Sequence, residues 1–132
     1  MPRLLHRIRI FCIAAALAHL LPASAQAVPE GAKKVIAQVQ RAAEAKDFPS
    51  LRKLMIEEFT WSFGGDGSAE QAIAAWKEQP GRLRQLARVT RLQCTFLEGK
   101  YVECPVSAGT SFRAGFKLTD GEWKMHYFVQ GD

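Results

Sequence analysis

Histidine and cysteine are scarce in this chain. The 132 residues contain three of each, and their placement restricts the chemistry further. His6, His19 and Cys12 fall near the N terminus, which leaves His126, Cys94 and Cys104 for the rest of the chain. One histidine excludes a multi-histidine metal site within a single chain, so no metal and no cofactor are expected. No Ser-His-Asp or Cys-His arrangement has a motif around it. A phosphate-cradling loop is missing too: Gly64-Gly65-Asp66-Gly67 has neither the lysine nor the following Ser or Thr of a P-loop.

A strong charge of one sign is also lacking once the first 27 residues are set apart. The whole chain has 18 Lys and Arg against 13 Asp and Glu, a net charge of +5. Arg3, Arg7 and Arg9 lie within residues 1–27 and no acid does, which leaves fifteen basic against thirteen acidic residues in 28–132. Nucleic-acid binders carry a larger, clustered basic excess, so no nucleic-acid partner is expected.

What is present begins at the N terminus. Arg3, His6, Arg7 and Arg9 make a positive segment, Ile10 to Leu21 is an apolar run, and Ala25-Gln26-Ala27 is a small-x-small site. This three-part layout is that of a secretory signal peptide. The run is too short and alanine-rich for a membrane span, and Cys12 lies inside it, away from the position of a lipidated cysteine. Cleavage is expected after Ala27, with residues 28–132 forming one periplasmic or secreted domain and no membrane span after processing. That length suits a single modest core. In an oxidising compartment, Cys94 and Cys104 are expected to form a disulfide.

The domain divides into a helical first half and a strand-rich second half. Val35, Ile36, Val39, Ala42 and Ala43 recur at helical spacing, which predicts a helix over Ala32–Lys46. Asp47 and Pro49 break it, and Leu51, Leu54 and Met55 mark a short second helix ending near Ile56. Phe59-Thr60-Trp61-Ser62-Phe63 alternates like a strand. Ser68-Ala69-Glu70-Gln71 has the form of a capping box, which starts a third helix at Ser68. Pro80-Gly81 ends it, and Leu83, Leu86 and Ala87 suggest one or two further turns.

Two hairpins can be aligned from their turns. Asp120-Gly121 tolerates the positive φ of a two-residue turn. With Thr119 opposite Glu122, Leu118 faces Trp123, Phe116 faces Met125, Ala114 faces Tyr127 and Phe112 faces Val129. That places Tyr127 on the core face, and His126, Phe128 and Arg113 on the other. Around Glu98-Gly99-Lys100, placing Leu97 opposite Tyr101 brings Phe96 to Val102, Cys94 to Cys104 and Leu92 to Val106. Directly opposed cysteines suit a cross-strand disulfide, and its short loop implies a stabilisation of about 2–3 kcal/mol. Pro105 marks an edge strand or a bulge.

Several residues are candidates for a site. Trp61, Phe63, Trp76 and Tyr127 are candidates for lining an apolar ligand pocket, although aromatics in a small domain also serve as core. Asp66 and Glu57 are candidate general bases, with Tyr127 as a donor. The plainer role for Asp66 is a turn residue near a helix N-terminus, and Gly64–Gly67 reads mainly as a connection. His126 is a candidate proton carrier or a surface histidine. Arg113 and Phe128 are candidates for a subunit interface through which a homodimer would form across the sheet face.

The order of elements resembles the nuclear transport factor 2-like superfamily, the cystatin-like α+β roll. The resemblance rests on Asp47-Phe48, Leu51, Leu54-Met55 and Phe59-Thr60-Trp61, then a helix over Ser68–Gln79, then antiparallel strands ending in Gly121-Glu122-Trp123-Lys124-Met125-His126-Tyr127-Phe128. It covers most of residues 32–130 and points to a secreted, bacterial-type member. It implies an α+β fold with N-terminal helices packed on a curved antiparallel sheet, and a cone-shaped cavity between them. Members include isomerases, dehydratases, polyketide cyclases and domains without catalysis. The isomerases use a carboxylate base with a tyrosine and a protonated carboxyl as donors, a trio that does not map onto this chain residue by residue.

Fold alone does not fix a reaction. The reading is a domain that binds a small apolar ligand or a protein partner without catalysis. Its alternatives are a cavity enzyme using Asp66 or Glu57 with Tyr127, and an envelope interaction or inhibitor protein acting through the outer sheet face.

Overall fold

A computed structural model describes residues 27–64, 67–107, 109 and 111–131. Residues 1–26, where a leader is expected, and the candidate base Asp66 lie outside the described residues.

The first helix, α1 (Glu30–Ala45), buries Ala32, Ile36, Val39, Ala42 and Ala43, the stripe that the helical spacing predicts. It stops where Lys46 takes a left-handed conformation at φ 52°, and Asp47 N–H returns to the Ala42 carbonyl at 2.9 Å. Asp47 then opens α2 (Phe48–Lys53) by accepting from the Ser50 N–H at 3.1 Å and the Ser50 hydroxyl at 2.6 Å.

Strand β1 (Met55–Thr60) differs in position from the sequence reading. The short helix ends at Lys53 rather than near Ile56, and the strand begins four residues before Phe59. Leu51, Met55 and Phe59 are all buried, and their four-residue spacing imitates a helix face. The backbone belongs to the sheet instead, since Met125 N–H donates to the Leu54 carbonyl at 2.7 Å. Trp61, Ser62 and Phe63 follow the strand rather than extending it.

Ser68 caps α3 (Ala69–Glu78) by accepting from the Gln71 N–H at 3.3 Å, as the capping pattern predicts. Pro80 does not merely end that helix. It is the first residue of α4 (Pro80–Arg91), where its missing N–H costs nothing. This helix runs longer than the one or two expected turns and buries Leu83, Leu86, Ala87, Val89 and Thr90. The Thr90 hydroxyl is satisfied by the Leu86 carbonyl at 2.8 Å.

The remaining strands are β2 (Thr95–Leu97), β3 (Tyr101–Cys104), β4 (Phe112–Thr119) and β5 (Glu122–Gln130). The sheet order is β1-β5-β4-β3-β2. Successive strands β2 to β5 are antiparallel, while β1 joins β5 in parallel, so the sheet is mixed. The α+β class holds, with one core formed between the helices and one face of the sheet. In the first hairpin, Phe96 pairs with Val102 and Leu97 with Tyr101, as expected. The Cys94–Cys104 disulfide joins Cα atoms 4.4 Å apart. Leu92 does not pair with Val106, because it already caps α4; Val106 N–H donates instead to the Gln93 carbonyl at 2.9 Å.

The second hairpin holds its expected register from the turn as far as Phe116 and Met125, then slips by one. Beyond the slip, Gly115 faces Tyr127, Ala114 faces Phe128 and Arg113 faces Val129. His126 is the extra residue of a β-bulge. The bulge reverses three assignments: Phe128 turns into the core at 2 % exposure, while Tyr127 and Val129 turn to the outer face. A buried tyrosine needs a partner for its hydroxyl, which Tyr127 finds on the outer face. Phe128 has no such need and fills the place beside Trp76. Arg113 and Phe128 therefore lie on opposite faces and cannot form one interface patch.

Candidate functional site

The helix side of the sheet is filled around Trp76. Trp76, 3 % exposed, meets Phe59 edge-on at 5.6 Å and Phe128 at 5.8 Å between ring centroids. Phe128 stacks on Phe112 at 5.4 Å, and the Arg82 guanidinium lies 4.9 Å from the Phe112 ring. The space left beside Trp61, Trp76 and Phe128 is 110 Å³, well below the roughly 300–1,000 Å³ of a ligand pocket. A cone-shaped cavity expected from the fold resemblance is thus occupied by side chains around Trp76.

The four aromatics expected to line one pocket separate. Trp76 is core, and Trp61 borders the small void beside it. Phe63, 61 % exposed, and Tyr127 line a recess on the opposite face of the sheet.

That recess has a volume of 390 Å³ and is walled by Tyr101, Glu103, Arg113, His126 and Tyr127, with Phe63 at its rim. Its floor comes from strand register. Tyr127 on β5, Gly115 on β4 and Glu103 on β3 are consecutive cross-strand partners. A Cβ at position 115 would overlap the Tyr127 ring. Without one, the ring lies across the central strand and its hydroxyl donates to the Glu103 carboxylate. Burial, and then this hydrogen bond, push the Tyr127 phenol well above its ordinary pKa, while Arg113 pulls weakly the other way.

His126 meets Tyr101 edge-on at 6.4 Å and Tyr127 at 6.3 Å. Burial, and then the Lys117 charge, hold its imidazole below its ordinary pKa, so it is a neutral wall at pH 7. The Lys117 ammonium sits 5.4 Å from the Tyr101 ring.

Glu57 does not reach this recess. It is 84 % exposed, with its carboxylate 2.6 Å from Arg52, which also binds Glu70 at 2.6 Å. The pairing of Tyr127 with Glu57 is replaced by its hydrogen bond to Glu103, a residue that sequence reasoning missed. Its signal was present: Glu103 alternates outward between the inward Val102 and Cys104. Only the strand order, with β4 between β3 and β5, brings it to Tyr127.

A second groove of 560 Å³ runs between α1 and the disulfide, lined by Val28, Ile36, Ala37, Leu92, Cys94 and Val106. Its charged lining residue, Lys33, is paired with Glu30 at 2.9 Å. Among the described residues no cluster of three or more His, Cys, Asp or Glu could hold a metal ion, and no helix is long and apolar enough to cross a membrane.

No protein-family model and no curated protein matches the chain. Solved structures do resemble it. An NTF2-like protein of unknown function from Shewanella oneidensis MR-1 is 13 % identical, with 75 % of this chain and 94 % of that chain covered and a TM-score of 0.48. An NTF2-like protein with a cystatin-like fold from Novosphingobium aromaticivorans is 17 % identical, over 75 % and 77 % of the two chains, with a TM-score of 0.44. A de novo designed protein with a curved β-sheet is 15 % identical, over 78 % and 98 %, with a TM-score of 0.47.

Proposed function

We propose that this protein is an exported binding domain that takes a small, largely apolar ligand in the recess on the outer face of its sheet, without catalysing a reaction. One observation carries the reading: Phe59, Trp76 and Phe128 fill the space between α3 and the sheet where the aromatic pocket was expected, whereas the opposite face holds an aromatic-walled recess of 390 Å³. The state of the polar groups supports binding over turnover. Tyr127 gives its proton to a hydrogen bond with Glu103 and holds it more tightly than a free phenol. Export is supported by the leader pattern of residues 1–27 and by the Cys94–Cys104 disulfide.

The test of binding is an amide and side-chain NMR titration with indole, a neutral aromatic probe. The expected result is shifts at Tyr101, Arg113, His126 and Tyr127. Shifts confined to Ile36, Ala37 and Cys94 would move the site to the groove beside α1 and reject the recess. Export is tested by intact mass of the protein recovered outside the cytoplasm, expected to begin at Val28. Full-length protein confined to the cytoplasm rejects it.

A further inference from the structure

The recess has more than apolar walls: it holds the Arg113 guanidinium as well as the Glu103 carboxylate. Arg113 is partly buried and shares the recess wall with Tyr127. Among the described residues it enters no salt bridge. The carboxylate of Glu103 is engaged by Tyr127 instead. A guanidinium partly removed from water and left without a carboxylate is an open receptor for a planar anion, which it binds through two parallel N–H donors.

The same face carries two further cations, one of which, Lys124, borders a groove shared with Glu57, Asp120 and Glu122. Lys117 and Lys124 are direct cross-strand partners, an arrangement that destabilises a sheet unless an anion offsets it. Neither makes a salt bridge among the described residues. Lys117 also lies over the Tyr101 ring, so the positive field reaches the recess wall. Beside these cations stand the rings of Phe63, Tyr101 and Tyr127, which favour a flat apolar body.

We infer that the recess selects aryl carboxylates, with the ring against Tyr101, Tyr127 and Phe63 and the carboxylate on the Arg113 guanidinium. This rests on the recess being the binding site and adds the chemical class of its ligand. An aliphatic anion would leave the aromatic walls wet. A neutral aromatic would leave Arg113 unpaired.

The experiment is a three-probe NMR titration at matched ionic strength, using benzoate, benzyl alcohol and acetate, followed at Arg113 Nε and the His126 imidazole. Benzoate is expected to bind roughly tenfold or more tightly than either other probe, the value of one charge-assisted hydrogen bond. Arg113→Gln is expected to abolish the preference for benzoate over benzyl alcohol. Phe63→Ala, at an exposed position that carries no fold, is expected to abolish the preference for benzoate over acetate. Lys33→Gln, in the distant groove, is expected to change nothing.

Equal binding of benzoate and benzyl alcohol at the recess overturns the inference and leaves the binding reading standing. Equal binding of acetate and benzoate overturns the aromatic half of the inference. A benzoate preference that survives in folded Arg113→Gln also overturns it. Should Arg113→Gln be unfolded, Arg113→Lys takes its place, with weakened benzoate binding expected because lysine lacks the planar fork; unchanged binding overturns the assignment. Silence at Arg113 and His126 with all three probes, alongside shifts at Ile36 and Ala37, rejects the recess itself.

Discussion

Tyr127 hydrogen-bonds Glu103 across a whole intervening strand. The two residues are next-nearest strand neighbours, and the gap between them is bridged because residue 115 has no side chain. Gly115 is thus a seat for the Tyr127 ring rather than a turn residue. Gly115→Ala is expected to destabilise the domain by about 1–3 kcal/mol, the usual cost of overpacking, and to displace the ring from Glu103. Urea denaturation measures the first effect and the His126–Tyr127 ring contacts in NMR the second. A neutral substitution with unmoved rings would contradict the seat.

The same pair predicts a tyrosine that resists ionisation. The folded-state pKa of Tyr127 is raised, so in folded protein it keeps its proton where the unfolded chain loses it. Its contribution to stability is full below about pH 10 and is lost as pH rises above that value. In an alkaline titration at 295 nm, part of the tyrosinate signal should appear only together with unfolding. Tyr127→Phe should remove that late component. Loss of its hydrogen bond is expected to cost about 1 kcal/mol at neutral pH.

The hairpins were legible in the sequence because each strand pair has a turn that fixes its start, Asp120-Gly121 and Glu98-Gly99. The register of Phe96, Val102 and the two cysteines followed from that alone. The bulge at His126 was not legible. Strict alternation carried Tyr127 inward and Phe128 outward, and nothing local in Met125-His126-Tyr127-Phe128 shows that the tyrosine has a carboxylate waiting two strands away. Strand β1 was misplaced for the opposite reason: Leu51, Met55 and Phe59 share a face under either periodicity, and Glu57-Glu58 lack the β-branched or aromatic character of a strand. The recess was invisible because its walls come from β3, β4 and β5, and the pairing of β3 with β4 has no tight turn in the sequence to fix it.

Histidine protonation gives an acid-side prediction. His126 has a lowered folded-state pKa, chiefly through burial and then through Lys117. The unfolded chain therefore binds this proton at higher pH than the folded one. Stability is full above about pH 6.5 and falls as pH drops from there towards the folded-state value. The carboxylates of Glu44 and Asp47, lowered by Arg91 and Ser50 respectively, act at more acidic pH, below about 4. His126→Gln should flatten the slope just below pH 6.5 and leave the more acidic loss in place. An unchanged slope in the variant would show that another group carries it.

The Cys94–Cys104 disulfide ties α4 and the short edge strand β2 to β3. The cysteines are 10 residues apart, so loop-closure entropy gives a stabilisation of about 2–3 kcal/mol. Replacing both by serine should lower Tm by roughly 10–20 °C for a domain of this size. A reducing agent should lower the Tm of the native protein towards that of the variant and leave the variant unchanged. Equal Tm values with and without reductant in the native protein would show that the bridge is not formed.

Trp76 and Phe63 offer the sharpest contrast between core and site. Both are large aromatics flanking the Gly64–Gly67 connection, and composition alone gives them the same role. Trp76 is enclosed by Phe59 and Phe128 at 3 % exposure, whereas Phe63 stands at 61 %. Trp76→Ala removes a buried ring and leaves a cavity, for an expected cost of about 3–5 kcal/mol. That is a large share of the roughly 5–15 kcal/mol that holds a domain folded. Phe63→Ala removes a ring that water already reaches, and its cost is expected to stay within about 0.5 kcal/mol. Urea denaturation of the two variants separates them. Comparable costs would mean that Phe63 packs against the core, and the outer recess would then lose its aromatic rim. A small cost at Trp76 would mean that the interior is loose enough to admit a ligand, which would restore the cone between helices and sheet as the place where binding occurs.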